Sequence, residues 1–357
     1  MTRKKILHIV EAMGGGVFTY LVGLTNQLVK NNDVYIAYGL RDQTPDDFKS
    51  YFDKNINLIE VKSFTRELNI IKDLRAFQEI RNIEKKIDPD VIHLHSSKAG
   101  ALGRVAFNLS KKPVFYTPHG YSFLMEDKGS IKRMIYKAIE WFCGKLNSIT
   151  ISCSKGEDEE SKKLTPNTLF INNAVNIEEL ENLMSNYKNY DNKKVTIFTL
   201  GRICYQKNPR LFNEIAKSFP NINFIWIGNG ELINELTSPN ITVTGWLKKE
   251  EALKIAMRSN IFLLTSLWEG LPLSLLEAMY MKKICVVSNV IGNRDVINNG
   301  KNGLLCSKLY DYKKVIAELQ NINTSTITKN AFNDIICNYS TLTQAKNYEK
   351  VYFDNIN

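Results

Sequence analysis

The sequence lacks several features that define common protein classes. No apolar stretch approaches the roughly 20 residues of a membrane-spanning helix. The first apolar run ends at Glu11, too early for the hydrophobic segment of a secretory signal. None of the six cysteines forms a C-x-x-C pair, and only four histidines are present, which argues against a zinc site. We therefore expect a cytoplasmic protein with reduced, buried cysteines and no bound metal.

Acidic residues are also fewer than basic residues. The 357 residues contain 47 Lys and Arg against 37 Asp and Glu, a net charge of +10 that both halves share. This excess suits anionic small molecules or an anionic membrane surface. The basic residues are not interleaved with aromatic residues in the manner of a nucleic-acid groove, so we expect no nucleic-acid partner.

Short, nearly continuous apolar runs recur along the whole chain and alternate with helical patterns. Such runs indicate strands that are buried on both faces, as in a parallel sheet covered by helices, so the sequence predicts doubly wound α/β domains. The predicted strands are 5–10, 34–38, 58–61, 91–95, 114–117, 149–152 and one within 169–176, then 195–200, 224–227, 241–243, 261–264 and 284–287.

The length favours two domains, and a polar, charged run at 178–194 marks the boundary between them. We expect an N-terminal domain at 1–177 and a C-terminal domain at 178–340. Residues 341–357 contain a helical pattern at Thr341–Tyr352 that follows the second domain.

The stretch from Ser266 to Met279 combines a predicted helix start with two glutamates. Pro272 suits the first helical position, which leaves nearby backbone amides available for an anion such as a phosphate. Glu269 precedes this end and Glu277 lies about two turns into the helix, where carboxylates suit sugar hydroxyls. The pattern predicts a site for a sugar nucleotide or a sugar phosphate. Ordinary helix capping by the two glutamates is the alternative.

Two basic residues, Arg202 and Lys207, occupy one loop after the strand at 195–200. An arginine offers a bidentate fork to phosphate oxygens and a lysine offers a point charge, so this loop is a candidate phosphate clamp. The loops at Gly228-Asn229-Gly230 and Thr244–Leu247 end the next two strands and could hold a nucleobase, or could be plain turns.

In the first half, Gly14-Gly15-Gly16 lies between a strand and a helix predicted at Phe18–Lys30. Glycines there allow a backbone to approach a ligand, although a tight turn explains them equally well. His119 lies between Pro118 and Gly120, just beyond a strand end, where ligands of such sheets bind. A functional role for it competes with a purely structural hydrogen bond.

A basic amphipathic helix is predicted at Lys128–Lys145. One face is apolar and the charged residues are almost all basic, as in helices that lie on anionic membranes. An ordinary surface helix packed on the sheet fits the same pattern.

Together, these motifs resemble the retaining glycosyltransferases of family 4, which have the GT-B fold, and most closely their bacterial surface-polysaccharide branch. The match runs in order along nearly the whole chain. It is carried by Gly14–Gly16, His95–Gly100, Pro118–Tyr121, Gly201-Arg202, Lys207-Asn208, Gly228–Gly230, Thr244–Trp246 and Glu269–Met279.

The resemblance implies two facing Rossmann-like domains with an interdomain cleft, an acceptor-side N-terminal domain and a C-terminal helix that crosses back to it. It also implies a metal-independent reaction with no cofactor. His119, Arg202, Lys207 and Glu269 match catalytic positions. The positions expected to bind the donor are Gly15, Gly16, Gly228, Asn229, Trp246, Leu247, Gly270, Leu271, Pro272, Leu273 and Glu277.

The expected function is therefore transfer of a hexose from a nucleoside-diphosphate sugar, a UDP sugar by family habit. The expected acceptor is a polyprenyl-diphosphate-linked saccharide of capsule, O-antigen or exopolysaccharide synthesis, met at the inner face of the cytoplasmic membrane. A non-catalytic sugar-nucleotide-binding scaffold and a GT-B enzyme with a soluble acceptor are the alternatives.

Overall fold

A computed structural model describes residues 3–41, 44–65, 69–125, 129–185 and 194–356. The chain forms two compact units. Unit 1 comprises Met1–Ala174 together with Thr341–Asn357, and unit 2 comprises Val175–Ser340. The start of the predicted basic helix, Lys128, and residues 186–193 of the polar run at 178–194 lie outside the described residues.

Within its described residues, unit 1 contains a parallel sheet in the order β3-β2-β1-β4-β5-β6-β7. Its strands are β1 (Lys5–Val10), β2 (Asp33–Tyr38), β3 (Asn57–Glu60), β4 (Val91–His95), β5 (Val114–Thr117), β6 (Ile149–Ser152) and β7 (Thr168–Phe170). Its helices are α1 (Gly15–Leu28), α2 (Ile70–Ile87), α3 (Ser97–Ala106), α4 (Ser130–Cys143), α5 (Lys155–Ser161) and, at the end of the chain, α13 (Thr341–Asp354), with 3-10 turns at Phe48–Tyr51 and Ser122–Leu124.

Unit 2 repeats this arrangement with a sheet in the order β10-β9-β8-β11-β12-β13. Its strands are β8 (Thr196–Leu200), β9 (Asn223–Ile227), β10 (Ile241–Val243), β11 (Ile261–Leu264), β12 (Ile284–Ser288) and β13 (Leu304–Cys306). Its helices are α6 (Ile177–Ser185), α7 (Pro209–Lys217), α8 (Lys249–Arg258), α9 (Leu273–Tyr280), α10 (Asn293–Val296), α11 (Leu309–Glu318) and α12 (Thr324–Asn338), with 3-10 turns at Tyr205–Lys207, Ile233–Glu235 and Leu319–Asn321.

The two-domain prediction of parallel, doubly wound sheets is confirmed. The central strands β1, β4 and β11 consist almost entirely of buried residues, because helices cover both faces of each sheet. In both units the strand order reverses beside the first strand, β1 or β8. Ligands of open α/β sheets bind at the carboxyl ends of the strands near this switch point, so the fold singles out the loops after β1 and β4 and those after β8 and β11.

Three local predictions differ from the structure. Helix α1 begins at Gly15 rather than Phe18, so the glycine cluster forms its first turn. Pro272 is the residue before α9 rather than its first position, and its ψ of 121° is extended. The three-residue strand β13 was not among the predicted strands.

A buried polar contact fixes the last helix of unit 1. The hydroxyl of Tyr20 in α1 donates to that of Tyr348 in α13 at 2.6 Å, and both side chains are inaccessible or nearly so. Nearby, the Tyr352 hydroxyl lies 2.5 Å from Nδ1 of His93 in β4. Burial without such partners would cost each polar group about 1–3 kcal/mol. These bonds therefore favour one position of α13 against the sheet.

Helix α4 leaves most of its large apolar side chains in solvent. Ile131, Met134 and Phe142 are each more than half exposed, whereas Glu140 and Cys143 are the buried members of the helix. The alternative of an ordinary surface helix that packs its apolar face on the sheet is therefore wrong for most of that face. Among the described residues no helix is both long and apolar enough to cross a membrane.

Candidate active site

The switch point of unit 2 brings two of the predicted site residues into contact. Strands β8 and β11 are neighbours, and the loops that follow them carry Lys207 and Glu269. Nζ of Lys207 lies 2.7 Å from Oε1 of Glu269. Their side chains are 16% and 7% exposed, so this is a largely desolvated ion pair at the carboxyl edge of the sheet.

Two neutral side chains complete the surroundings of the Glu269 carboxylate. The hydroxyl of Ser266 donates to Oε1 at 2.6 Å, and Nε2 of Gln206 donates to Oε2 at 3.4 Å. Each carboxylate oxygen is thus occupied by a donor. These donors supply the hydrogen bonds that a buried polar group needs.

The same two loops are joined through their backbones, which fixes the ion pair in place. The amide of Leu267 donates to the Gln206 carbonyl at 2.8 Å, and the Thr265 hydroxyl donates to the Lys207 carbonyl at 2.8 Å. Nε2 of Gln206 also donates to the carbonyl of Trp268 at 2.9 Å. Both loops start from adjacent strands, so these bonds hold Lys207 and Glu269 in contact although the two residues are 62 positions apart in the sequence.

Gly292 holds the loop after Glu269 from the other side. Its φ of +85° lies in the left-handed region, and a Cβ added there would stand 2.6 Å from the carbonyl oxygen of Gly270. A side chain at this position would push directly on the backbone of the predicted site. Gly292 was not among the predicted site residues, because the clash depends on a contact distant in sequence.

The N-terminus of α9 lies next to the ion pair and has no side-chain cap. Pro272 precedes the helix and has no N–H of its own, and Leu273 is the first helical residue. Uncapped first-turn amides carry partial positive charge, which favours an anion. The anion-binding role predicted for residues 270–273 concerns this helix end and stays a prediction, with Gly270 and Leu271 in the loop that leads to the helix.

Glu277 is the buried member of a second charge cluster, which joins α9 to α8 and α6. Nζ of Lys249 in α8 lies 3.6 Å from Oε1 of Glu277 and 2.8 Å from Oε2 of Glu179 in α6. Burial raises the pKa of Glu277 above its ordinary value, and the Lys249 ammonium opposes that rise. Burial disfavours the ammonium, but the two carboxylates hold the pKa of Lys249 above its ordinary value. Glu277 is therefore held by one shared cation.

Arg202 points to a different partner from the one its predicted role would require. Its guanidinium donates to Oε2 of Glu231 at 3.0 Å, and both side chains are about a third to a half exposed. An exposed pair of this kind contributes little to stability, so Arg202 can exchange Glu231 for another anion at small cost. The described contacts do not join Arg202 to Lys207 or Glu269.

Close backbone packing shapes the loops after β8 and β9. A Cβ on Gly228, whose φ is +144°, would lie 2.2 Å from the carbonyl oxygen of Gly201. Asn229 accepts from the Gly230 amide at 2.8 Å through Oδ1, which tightens the turn. Farther along, Trp246 is 60% exposed and Leu247 is half-buried in the loop after β10. These predicted donor-binding residues share the carboxyl edge of the sheet but make no described contact with the ion pair.

Unit 1 gathers all four histidines of the chain into one group. Nδ1 of His8 lies 2.9 Å from Nε2 of His95, and Nδ1 of His95 lies 3.1 Å from Nε2 of His119. His93 lies beside this row of three histidine rings and bonds instead to the hydroxyls of Thr117 and Tyr352. Burial lowers the pKa of His8 and of His119 to about 3 and that of the other two well below the ordinary value, so all four rings are neutral.

His119 forms the accessible end of this chain of rings. It has a left-handed φ of +56° and is partly exposed, whereas His8, His93 and His95 are fully buried. Gly15 and Gly16 at the start of α1 are exposed, and a Cβ on either would meet nothing within 4 Å. Neither glycine is therefore required by packing within unit 1, and Gly15 also has a positive φ of +58°.

Several contributors to the site escaped the sequence reading. Lys249 follows the predicted Thr244–Leu247 loop by two residues, but no local sequence pattern indicates its contact with Glu277. Gln206 is adjacent to Lys207, and Ser266, the first residue of the stretch singled out in the sequence, lies three residues before Glu269. Glu179, in contrast, comes from the polar run assigned to the domain boundary, and nothing in its local pattern indicates a contact with α8.

Comparison with known proteins identifies the family of this chain. The sequence model described as Glycosyltransferase Family 4 matches residues 14–179, and that described as Glycosyl transferases group 1 matches residues 181–347. An Escherichia coli UDP-Gal:α-D-GlcNAc-diphosphoundecaprenol α-1,3-galactosyltransferase is 31% identical over 335 residues, which cover 85% of each chain. The chain belongs to the family 4 glycosyltransferases. This hexosyltransferase thus has the GT-B fold.

Further relatives agree with this family. The Staphylococcus aureus capsular polysaccharide biosynthesis glycosyltransferase CapM is 23% identical, with 90% of this glycosyltransferase and 88% of CapM covered. Sucrose-phosphate synthase from Thermosynechococcus elongatus superposes with a TM-score of 0.83 at 14% identity over 99% of each chain. The Anabaena protein HepE, solved with UDP and glucose, superposes with a TM-score of 0.75 at 16% identity over 99% of this chain and 100% of its own. The structural matches support the fold.

Proposed function

We propose that this glycosyltransferase transfers a hexose with retention of configuration from a UDP sugar to a polyprenyl-diphosphate-linked saccharide. The observation that carries the donor part of the proposal is the Lys207–Glu269 pair beside the uncapped N-terminus of α9. A cation and helix-end amides suit a diphosphate, and a buried carboxylate suits sugar hydroxyls. Both lie at the switch point where sheets of this kind bind ligands.

The roles of the donor-side residues follow from their chemistry and from the family resemblance. Lys207 and Arg202 neutralise the diphosphate, together with the amides around Leu271 and Leu273. Glu269 binds the hexose and Glu277 binds the ribose hydroxyls. Arg202 reaches the phosphates by leaving Glu231, which its exposed ion pair permits.

The proposed reaction breaks the bond between the anomeric carbon and the β-phosphate oxygen and forms a bond from the same face to an acceptor hydroxyl. The departing phosphate oxygen takes the hydroxyl proton, so no side chain needs to act as a covalent nucleophile. Negative charge grows on the β-phosphate as the bond breaks. Lys207 and the helix end stabilise that charge in a site already organised for it. His119 contacts the donor sugar or the acceptor.

Metal independence is part of the proposal. The cations of unit 2 supply the charge that a divalent ion supplies elsewhere. The tripeptide Asp88-Pro89-Asp90 has the Asp-x-Asp spacing of metal-dependent donor sites, but both its carboxylates are engaged in unit 1. Asp88 binds Lys112, and Asp90 accepts from the backbone amide of Lys5 at 2.8 Å. Addition of EDTA is expected to leave the transfer rate unchanged.

The acceptor assignment rests on the relatives. The Escherichia coli relative is named for an undecaprenol-diphosphate acceptor, and CapM is named for capsule synthesis. We place the protein at the inner face of the cytoplasmic membrane, where helix α4 supports binding to an anionic surface. Lys132 and Lys137 are exposed beside the exposed apolar residues Ile131 and Met134, a combination that suits an interfacial helix.

The deciding experiment measures release of the nucleoside diphosphate from a panel of donors, with and without a lipid-diphosphate N-acetylglucosamine acceptor. We expect release with a UDP hexose that depends on the acceptor, and a product whose anomeric proton coupling matches that of the donor. No release from any donor that binds in a thermal-shift screen would favour the non-catalytic scaffold. Equal transfer to a saccharide without lipid would favour the soluble-acceptor alternative.

A further inference from the structure

Unit 1 contains an apolar trench that the donor site does not use. It has a volume of about 820 Å³ and lies between helices α2, α3 and α4. Leu74 and Phe77 of α2 form one wall, Ile135 and Phe142 of α4 form the other, and Ala101 and Val105 of α3 contribute the floor. The volume is within the range of small-molecule sites, about 300–1,000 Å³.

The trench exposes side chains that folding would otherwise bury. Leu74 is 61% exposed, Phe142 59% and Val105 50%. Contiguous apolar surface of this kind on a folded protein marks an interaction site. Each of the three helices contributes to it, so the exposed surface is a concave channel rather than one helix face.

The lining indicates what kind of molecule fits. Of the described residues that line the trench, Asp73 alone is charged, and its carboxylate already binds Nζ of Lys98 at 2.8 Å. An extended peptide would bury its own backbone polar groups here without hydrogen-bond partners, which is costly. A hydrocarbon chain has no polar groups to leave without partners, and its burial is favourable because apolar surface leaves water.

Charge around the trench narrows the choice further. Lys132 and Lys137 are exposed on α4, the same helix that supplies one wall, and Lys145 is exposed just beyond its end. The acidic residue of α4, Glu140, is buried and paired with Arg104 at 2.6 Å, so it does not offset these charges. A hydrocarbon attached to an anionic phosphate group matches both the apolar trench and its cationic helix.

We propose that this trench binds the isoprenoid chain of the acceptor lipid, which rests on the proposed function insofar as that function supplies a polyprenyl diphosphate. The chain enters between α2 and α4, and its diphosphate lies toward the cations of α4. The trench thereby makes the enzyme recognise the lipid as well as the saccharide, and it raises the affinity for acceptors with longer chains.

The test measures binding alone and needs no donor. Farnesyl phosphate and the shorter geranyl phosphate are titrated calorimetrically into the full-length protein below their aggregation concentrations, with inorganic phosphate as a headgroup control. We expect farnesyl phosphate to bind at least about tenfold more tightly than geranyl phosphate, because additional apolar carbons leave water. Equal affinity for the two isoprenoids would overturn the proposal.

Two variants locate that difference. In Ala138→Trp an exposed alanine that lines the trench becomes a bulky side chain that fills it, and Leu109→Trp makes the same addition at a site that is 94% exposed and outside the lining. We expect the chain-length preference to disappear in the first variant and to persist in the second. Leu74→Asp, which keeps the trench open but makes it polar, should also remove it. An unchanged preference in both trench variants contradicts the assignment.

The outcome is distinguishable from that of the proposed function. A preference for the longer chain that A138W abolishes, in a protein that releases no nucleoside diphosphate from any donor, supports the trench and rejects the transferase assignment. Acceptor-dependent transfer without a chain-length preference does the reverse. Sedimentation with vesicles of phosphatidylglycerol checks that the filled variant still reaches membranes, so that loss of the preference reflects the trench.

Discussion

Nζ of Lys207 lies 2.7 Å from Oε1 of Glu269, across the two loops that leave the adjacent strands β8 and β11. The pair is largely buried, so each partner is held by the other until a ligand replaces one of the contacts. A diphosphate would compete with Glu269 for Lys207, while a hexose would occupy the carboxylate. Under the proposed function, the ion pair would therefore couple binding of the diphosphate to binding of the hexose of a sugar nucleotide.

The variant Glu269→Gln separates these two effects. It removes the charge that competes for Lys207 and keeps a polar side chain near Ser266. We expect UDP to bind a fewfold more tightly, and sugar transfer to fall by at least about tenfold, because the hexose loses a charge-assisted hydrogen bond. Calorimetry with UDP and a transfer assay measure the two quantities. Tighter binding together with undiminished transfer would remove Glu269 from the sugar site.

Arg202 is expected to contribute to donor affinity despite its pairing with Glu231. Arg202→Ala should weaken UDP-sugar binding and transfer by at least about tenfold, or about 1.4 kcal/mol, through loss of a phosphate contact. Glu231→Gln is the matched control. It frees the same guanidinium, so donor affinity should stay the same or increase. A folded Arg202→Ala protein with unchanged kinetics would contradict the clamp assignment.

Donor binding should depend on pH through Glu277. Burial raises the pKa of this carboxyl. As the pH is lowered through that raised value, Glu277 loses the carboxylate form that accepts hydrogen bonds, so the affinity for UDP should fall. Lys249→Met removes the facing cation and leaves Glu179 nearby, which raises the pKa of Glu277 further. The affinity loss should therefore begin at a higher pH in this variant. The measurement is the UDP dissociation constant between pH 5 and 8, and superimposable profiles would count against it.

The buried histidines predict acid sensitivity of unit 1. Burial lowers the pKa of His8 to about 3, so the unfolded chain takes up a proton near pH 6.5 that the folded state refuses. The stability that His8 provides is thus present above pH 6.5 and is lost as the pH falls toward 3. The slope for this one group approaches about 1.4 kcal/mol per pH unit. Urea unfolding between pH 7.5 and 5.5 should show that the free energy of unfolding depends less steeply on pH in His8→Phe than in the parent protein. The same pH dependence in both proteins would contradict this prediction.

Much of the architecture could be predicted from the sequence because strands buried on both faces leave continuous apolar runs. The bounds of β1, β4 and β11 follow from such runs alone. The site was predictable to the extent that its residues sit at strand ends and at a helix start, as Lys207 and Glu269 do. The Lys249–Glu277 contact was not, because it joins two helices whose packing no local pattern encodes.

Helix α4 illustrates a different limit. Its amphipathic period is real, yet periodicity says only that a face is apolar and not what covers it. In the structure Ile131 and Met134 face solvent, and the neighbouring helices form a trench instead of a closed core. Whether the apolar face of α4 is covered depends on where α2 and α3 place their own apolar residues, which is tertiary information.

The seating of α13 has a consequence for biosynthesis. Tyr348 and Tyr352 complete the polar layer of unit 1, but the ribosome makes them only after all of Val175–Ser340. Unit 2 has its whole sequence available first, while the earlier part of unit 1 waits without the Tyr348 partner of Tyr20 and the Tyr352 partner of His93. The second sheet to be synthesised is therefore the first that can mature, and a nascent chain stalled before Thr341 would expose an unfinished N-terminal half to chaperones and proteases.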